Sequence, residues 1–197
     1  VRLVRAWRVV RGGDVDGGAE GGGGEIGRAD VDAIRSAGKD IYIENRCCGL
    51  CRVAGEIGRR VAAEPQLDVI IVLPMAPDMV AFERKTGPDM RFGEWLQVRA
   101  LRHLLKLAGE RVGLFSMVGR SPASPDLDGR ARAFGSGIVY PHSKVLIVDD
   151  ARAIVGSANI NGRSFRMDTE AALEWSADPR IRMFREELFA GHLGGAY

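Results

Sequence analysis

The side chains best equipped for chemistry crowd into residues 140–164, where His142, Lys144, Asp149, Gly156, Ser157 and Asn159 are spaced as H-x-K-x4-D-x6-G-S-x-N. Two apolar runs rich in branched residues, Val145 to Val148 and Ala153 to Val155, lie between them, with Asp149, Asp150 and Ala151 in the gap. That pattern predicts a strand, a tight turn and a second strand. Side chains two apart on a strand share a face, so His142 and Lys144 stand side by side. Ser157 and Asn159 share a face in the same way if the second strand continues past Gly156. The hairpin then brings an imidazole, a fixed cation and two neutral hydrogen-bonding groups near one point, a set that suits a phosphate ester. Imidazole titrates near neutral pH and serves as nucleophile or general acid. Lysine supplies positive charge that a metal would otherwise bring to phosphate oxygens. Ser and Asn donors stabilise charge as it develops, and Gly156 lets the backbone approach closely.

The elements that must carry this stretch alternate between strand and helix. Residues 1–10 alternate around Val and Leu and read as a strand; residues 12–24 are glycine-rich and read as a flexible loop. A helix is expected from about Glu25 to Ala37, stopped by Gly38. Asp40 to Asn45 reads as a short strand, 52–64 as a helix, and Val69 to Leu73 as a buried parallel strand. Residues 75–91 read as a loop. Phe92 to Ala108, apolar at Trp95, Leu96, Val98, Leu101, Leu104, Leu105 and Leu107, reads as a long amphipathic helix ended by Gly109. A strand at Val112 to Val118, a loop over 119–137, a strand over 169–176 and a helix from Arg180 to Ala190 complete the order. The expected class is α/β: a mixed, largely parallel sheet with helices on both faces, in a single domain spanning 1–197.

Composition sets the bounds. The 197 residues are 46% hydrophobic and 27% charged, as in a soluble globular protein. A net charge of +2 is too small to argue for a stable nucleic-acid partner or an anionic membrane. No apolar run approaches the ~20 residues of a membrane-spanning helix, and the first residues lack a signal-peptide core. The expected location is the cytoplasm, at most peripheral to a membrane. The sequence begins Val-Arg-Leu without Met, which fits an internal fragment or an alternative start. The three cysteines at 47, 48 and 51 do not make a disulfide framework. Cys48-Gly-Leu-Cys51 is a C-x-x-C between a strand and a helix, the setting that lowers a thiol pKa, but buried or incidental thiols are the plainer reading. Zinc would need further ligands, and none stand out.

The spacing in 142–159 resembles the HKD motif of the phospholipase D superfamily. The resemblance extends to Ile41-Tyr42-Ile43-Glu44-Asn45, similar to the I-Y-I-E-N-Q stretch upstream of the second motif in two-motif phospholipases D. There the chain continues Arg46-Cys47-Cys48 in place of Gln and aromatics. Val72-Leu73-Pro74 and the ending at 186–194 also resemble that half. The resemblance implies a phospholipase D-like α-β-α layered fold, no cofactor, no metal, and a reaction shared by two facing motifs. One histidine attacks phosphorus to give phosphohistidine, the other protonates the leaving alcohol, and water or another alcohol takes the phosphoryl group. Only His142 of the three histidines is followed by x-Lys, while His103 and His192 read as structural. The chain therefore resembles one half of an active site, with the second motif from a homodimer mate or from an N-terminal half. As a second half, it would use His142 as general acid; in a homodimer His142 could play both roles.

Within that resemblance the candidate catalytic set is His142, Lys144, Asp149 and Glu170, with His142, Lys144, Ser157 and Asn159 on the phosphate and Glu44 and Asn45 in support. Asp149, at a strand end before a turn, reads more readily as structural than as a proton carrier. Glu170, in Asp168-Thr169-Glu170, is a candidate to orient His142 through Nδ1, since a carboxylate there fixes the tautomer and steadies imidazolium. Three functions follow. The leading one is a phosphodiesterase or phosphatidyltransferase on phospholipid. The others are a single-motif homodimeric nuclease of the same superfamily and a catalytically silent half acting as an interaction module.

Overall fold

Short branched-aliphatic runs form the sheet of this protein, and amphipathic stretches between them form its cover. The computed structural model describes residues 1–6, 24–47, 49, 51–83, 87–127 and 129–194. Residues 7–10 of the expected first strand, the glycine-rich stretch 12–23 and Cys48 lie outside the described residues. In chain order the first half comprises β1 (Arg2–Ala6), α1 (Glu25–Ser36), β2 (Asp40–Glu44), α2 (Cys51–Ala63), β3 (Asp68–Val72), α3 (Asp78–Ala81) and α4 (Pro88–Ala108). Then come β4 (Val112–Phe115), β5 (Val118–Pro122), β6 (Arg132–Ala133), β7 (Ser136–Ile138), β8 (Val145–Val148) and β9 (Arg152–Gly156). The last elements are α5 (Gly162–Arg166), β10 (Glu170–Ser176) and α6 (Arg180–Leu193).

Seven strands pair in the order β1-β10-β9-β8-β2-β3-β4, and β5-β7-β6 form a separate small sheet. The β2–β3 and β3–β4 pairs are parallel; β8 on β2, β9 on β8, β10 on β9 and β1 on β10 are antiparallel. Two reversals from β2 bring β9, and two more bring β1, back to the direction of β2, β3 and β4. Five strands thus point one way and β8 and β10 the other, so the mixed, largely parallel sheet is the one expected.

Alternation along β2 sends Ile41 and Ile43 to one face and Tyr42 to the other. On the first face Ile41, Ile43, Ile71 and Leu146 pack with Ile34 of α1, Ile57 of α2 and Leu104 of α4. On the second, Tyr42, Val145 and Ile147 meet Ile181, Phe184, Leu188 and Phe189 of α6. Fully burying one such aliphatic side chain contributes about 1.5–3 kcal/mol, so these two layers hold the sheet in register. Helices α2 and α4 pack closely at Gly58, where a Cβ would stand 2.6 Å from Leu107 Cβ.

Several expectations shift. Helix α1 stops at Ser36 with Ala37 extended, and the Gly38 N–H is taken by Asp149 (2.7 Å). The 75–91 loop contains α3 and the start of α4, which begins at Pro88, a residue suited to a helix's first turn. Only Ala100, Leu104 and Ala108 of α4 are buried, so its core-facing stripe is narrower than its apolar spacing suggests. The strand expected over 112–118 ends at Phe115, and the 119–137 loop holds the small sheet. Strands of two to five residues leave too short a pattern for period-two alternation to register.

Candidate active site

Strand pairing decides which side chains can meet. Glu44, the last residue of β2, is opposite Val145, the first of β8; Val145 is opposite Val155, and Gly156 is opposite Ala172. One end of the sheet therefore collects Glu44 and its successors, residues 142–144, Ser157 and Glu170. The turn of the hairpin lies at the other end, where Val148 pairs with Ile41.

Residues 141–144 belong to no strand, so a shared strand face does not align His142 with Lys144. A local wrap does so instead: the buried Lys144 Nζ donates to the His142 carbonyl (2.5 Å) and lies 3.1 Å from His142 Nδ1. An ammonium has only hydrogens to offer, as has a guanidinium, so the neutral ring can accept from only one of them, and the shorter contact is at Nδ1 rather than at Nε2. The Arg46 guanidinium stands 3.5 Å from that nitrogen through Nη1. Arg46 itself donates to Tyr140 Oη (2.8 Å) and to both Asp78 oxygens (3.2 and 3.1 Å), with its guanidinium carbon 5.6 Å from the Tyr140 ring centre. Lys144, then partial desolvation, then Arg46 lower the His142 pKa, while Asp78 opposes them. Burial lowers that of Lys144, reinforced by Arg46 and opposed by Glu170. Two cations thus face an imidazole held neutral, an arrangement that attracts an anion and strengthens His142 as an acid once protonated.

Glu44 is buried under this loop. It accepts from Tyr42 Oη (2.7 Å) and His192 Nε2 (2.7 Å) on one oxygen and from Ser143 Oγ on the other. Burial pushes its pKa up, but these hydrogen bonds outweigh it and hold the carboxyl below its ordinary value. Asn45 Oδ1 accepts from the N–H groups of Cys47 (3.1 Å) and Ile160 (3.4 Å), joining the end of β2 to the segment after β9. Asn45 also shares with Lys144 the lining of a cavity of about 20 Å³, room for about one water.

The other expected residues divide. Strand β9 ends at Gly156, so Ser157 and Asn159 do not continue one strand face. Ser157 Oγ donates to Glu170 Oε2 and accepts from the Ala171 N–H (3.1 Å), while the buried Asn159 Oδ1 has no hydrogen-bond partner among the described residues. Glu170 therefore holds Ser157, and it is Lys144, not Glu170, that faces His142 Nδ1. Asp149 does not join the cluster. At the far end of β8 its carboxylate accepts from the N–H groups of Gly38 (2.7 Å), Lys39 (2.7 Å) and Asp40 (2.9 Å). Three backbone donors saturate it, and the catalytic assignment gives way to a structural one.

Arg46, Asp78, Tyr140, Ser143, Tyr42 and His192 escaped the sequence reading. Arg46 had a signal, since it stands where the resembled stretch carries Gln. The rest come together only by folding: His192 is 148 positions from Glu44. Cys51 opens α2, and burial raises the Cys47 thiol pKa, away from the reactive thiolate. Among the described residues no three His, Cys, Asp or Glu side chains are grouped to hold a metal ion, and no helix is long and apolar enough to cross a membrane.

Similarity to known proteins bears on this cluster directly. A family model described as "Cardiolipin synthase, PLD-like domain" matches residues 127–190, the stretch holding His142 to Glu170. Phospholipase D alpha 4 of Arabidopsis thaliana is 29% identical over 84% of this chain and 28% of its own length. Phospholipase D A of Dictyostelium discoideum is 28% identical over 88% of this chain and 16% of its own. The chain thus spans less than a third of either relative. The phospholipase D family member Nuc from Salmonella typhimurium shares the fold (TM-score 0.58, 16% identity) over 98% of this chain and 93% of that one. Phosphatidylserine synthase of Haemophilus influenzae shares it (TM-score 0.62, 15% identity) over 97% of this chain but 38% of that one. Sequence relatives, family match and fold converge: residues 127–190 match a PLD-like domain, and the chain is similar to phospholipase D superfamily proteins over most of its length.

Proposed function

We propose that this chain is one catalytic half of a phospholipase D-type phosphodiesterase or phosphatidyltransferase acting on phospholipid, with His142 and Lys144 at its centre. The observation that carries the reading is the wrap of buried Lys144 around His142, which fixes a cation and an imidazole at the same point. Lys144 and Arg46 hold the phosphoryl oxygens electrostatically, work that requires no metal. Ser157 and Asn159 supply further polar contacts to the phosphate, and Glu170 keeps Ser157 in place. Lys144 and Arg46, standing against the ring, make the protonated His142 a stronger proton donor, which supports it as general acid.

The reaction needs a second histidine. That histidine, neutral, attacks phosphorus, an N–P bond forms, the P–O bond to the alcohol breaks, and His142, entering the step as imidazolium, passes a ring proton to the leaving oxygen and becomes neutral. His142 then takes a proton from water or an acceptor alcohol, whose oxygen bonds phosphorus as the N–P bond breaks. A second copy of this chain or an N-terminal half supplies the partner motif. The second copy is supported by the fold match to Nuc over nearly the whole of both chains. Phospholipid as substrate is supported by the names of the sequence relatives.

The test is turnover of a chromogenic phosphodiester and of phosphatidylcholine in EDTA, wild type beside His142→Ala. Activity that survives EDTA and disappears in the variant is expected. Activity that EDTA abolishes, or that His142→Ala retains, sinks the mechanism. An inactive wild type moves the search to the N-terminal half and favours the silent-module reading for the isolated chain.

A further inference from the structure

The loop that carries His142 and Lys144 has no strand ladder of its own, so its position depends on what grips it. Ser143, between the two, gives its hydroxyl to Glu44, and Glu44 is gripped in turn by Tyr42 and His192. Alternation along β2 puts Tyr42 and Glu44 on the same face, the one covered by α6. His192 reaches them from the last turn of α6. A carboxylate only accepts, so His192 carries its hydrogen on Nε2 and shares it between Glu44 Oε2 (2.7 Å) and Tyr42 Oη (3.2 Å). Tyr42 and Glu44 belong to one strand and Ser143 to the loop itself, so His192 is the contact that ties this carboxylate to another layer of the fold.

We propose that His192 is a positioning residue for the His142–Lys144 pair, acting from α6 through Glu44 and Ser143. The proposal rests on reading that pair as catalytic. Without the His192 hydrogen, Glu44 keeps one donor on Oε2 and is free to turn about its terminal torsion. Ser143 follows Glu44, and His142 and Lys144 flank Ser143 on either side. Small displacements of reacting groups are costly, about 100-fold for 1 Å. His192→Ala should therefore lower kcat by roughly ten- to a hundred-fold and change KM far less. His192→Gln puts an amide N–H where Nε2 stood and should restore most of the loss.

The experiment compares wild type, His192→Ala, His192→Gln and Ser143→Ala as full chains, by steady-state kinetics and by the NMR signals of the His142 ring. The ring is assigned by its disappearance in His142→Ala. A His142 ring shifted in His192→Ala and Ser143→Ala and restored in His192→Gln, with kcat following the same order, supports the relay. Wild-type ring signals in His192→Ala overturn it, and so does a kcat loss that Gln does not recover at an unchanged Tm. If His192→Ala does not fold, the relay is judged on Ser143→Ala, whose own wild-type ring signals would overturn it. If the wild type turns over no phosphodiester, the silent-module reading is favoured for the isolated chain, and the ring signals alone decide the positioning role.

Discussion

Asp149→Ala separates the structural Asp of the motif from its chemical neighbours. The carboxylate accepts three backbone N–H bonds from Gly38, Lys39 and Asp40, pinning the β8–β9 turn to the junction of α1 and β2. Those of Gly38 and Asp40 are partly buried, so losing the acceptor costs about 1–1.5 kcal/mol each. The Lys39 N–H is exposed and water replaces most of its loss. Asp149 also has φ of 53°, followed by Asp150 at 54°, and Ala151 closes the turn on the Val148 carbonyl (2.9 Å). A left-handed residue other than Gly, Asn or Asp adds about 1 kcal/mol. The sum is roughly 3–4 kcal/mol, which at 2–4 °C per kcal/mol for a chain of this size lowers Tm by roughly 6–16 °C. Asp149→Asn should cost less than half of that, because Oδ1 still serves Lys39 and Asp40 while the amide nitrogen confronts only Gly38. Thermal and urea unfolding of the two variants test the sum. Equal Tm values for Ala and wild type would refute it, and wild-type stability with lost turnover would return Asp149 to the chemistry.

Three further perturbations probe other parts of the argument. Arg46→Gln removes a cation from beside His142 and frees Asp78, so the ring should titrate at higher pH than in the wild type, as followed by NMR; an unchanged or lower value would contradict the electrostatic account. Gly156→Ala would place a Cβ against the Ala172 side chain and 2.6 Å from the Ala171 carbonyl oxygen, so it should destabilise by about 1–3 kcal/mol, and a variant as stable as wild type in urea would mean that β9 and β10 have room to part. Asp30 is buried with its pKa raised to about 7, chiefly by desolvation against the pull of Arg152. The native state then holds a proton that the unfolded chain has released between pH 4 and 7, so this group makes stability fall as pH rises, by roughly 1.4 kcal/mol per unit. Asp30→Asn should remove that slope, and urea midpoints of the two proteins that run parallel across the window would refute it.

The parts legible in the sequence are those whose cause is local. Val145–Val148 and the Asp149-Asp150 turn follow from branched residues beside residues that tolerate positive φ, and the parallel placement of Val69–Val72 follows from an unbroken apolar run. Lys144 and His142 were readable because only one residue separates them and limits where they can go, although a lysine wrap and not a strand face unites them. Sequence periodicity could not give Ser157 and Asn159 a common direction, since that depended on where β9 stops. The small sheet β5-β7-β6 was missed because its strands are too short to show a period.

What the sequence hid is what long-range folding supplies, and those contacts set the chemistry of the pair. Arg46 meets His142 across 96 positions and His192 meets Glu44 across 148. Neither spacing forms a motif, because only the strand order β9-β8-β2 and the docking of α6 make them neighbours. The resemblance located the histidine and lysine but said nothing of a second cation where Gln is expected. That cation acts in the same direction as Lys144 on the imidazole and is itself anchored by Asp78 of α3. A motif match at 142–159 therefore picks out the side chains proposed to react, whereas the ends of β2 and α6 supply the charges and hydrogen bonds that surround them.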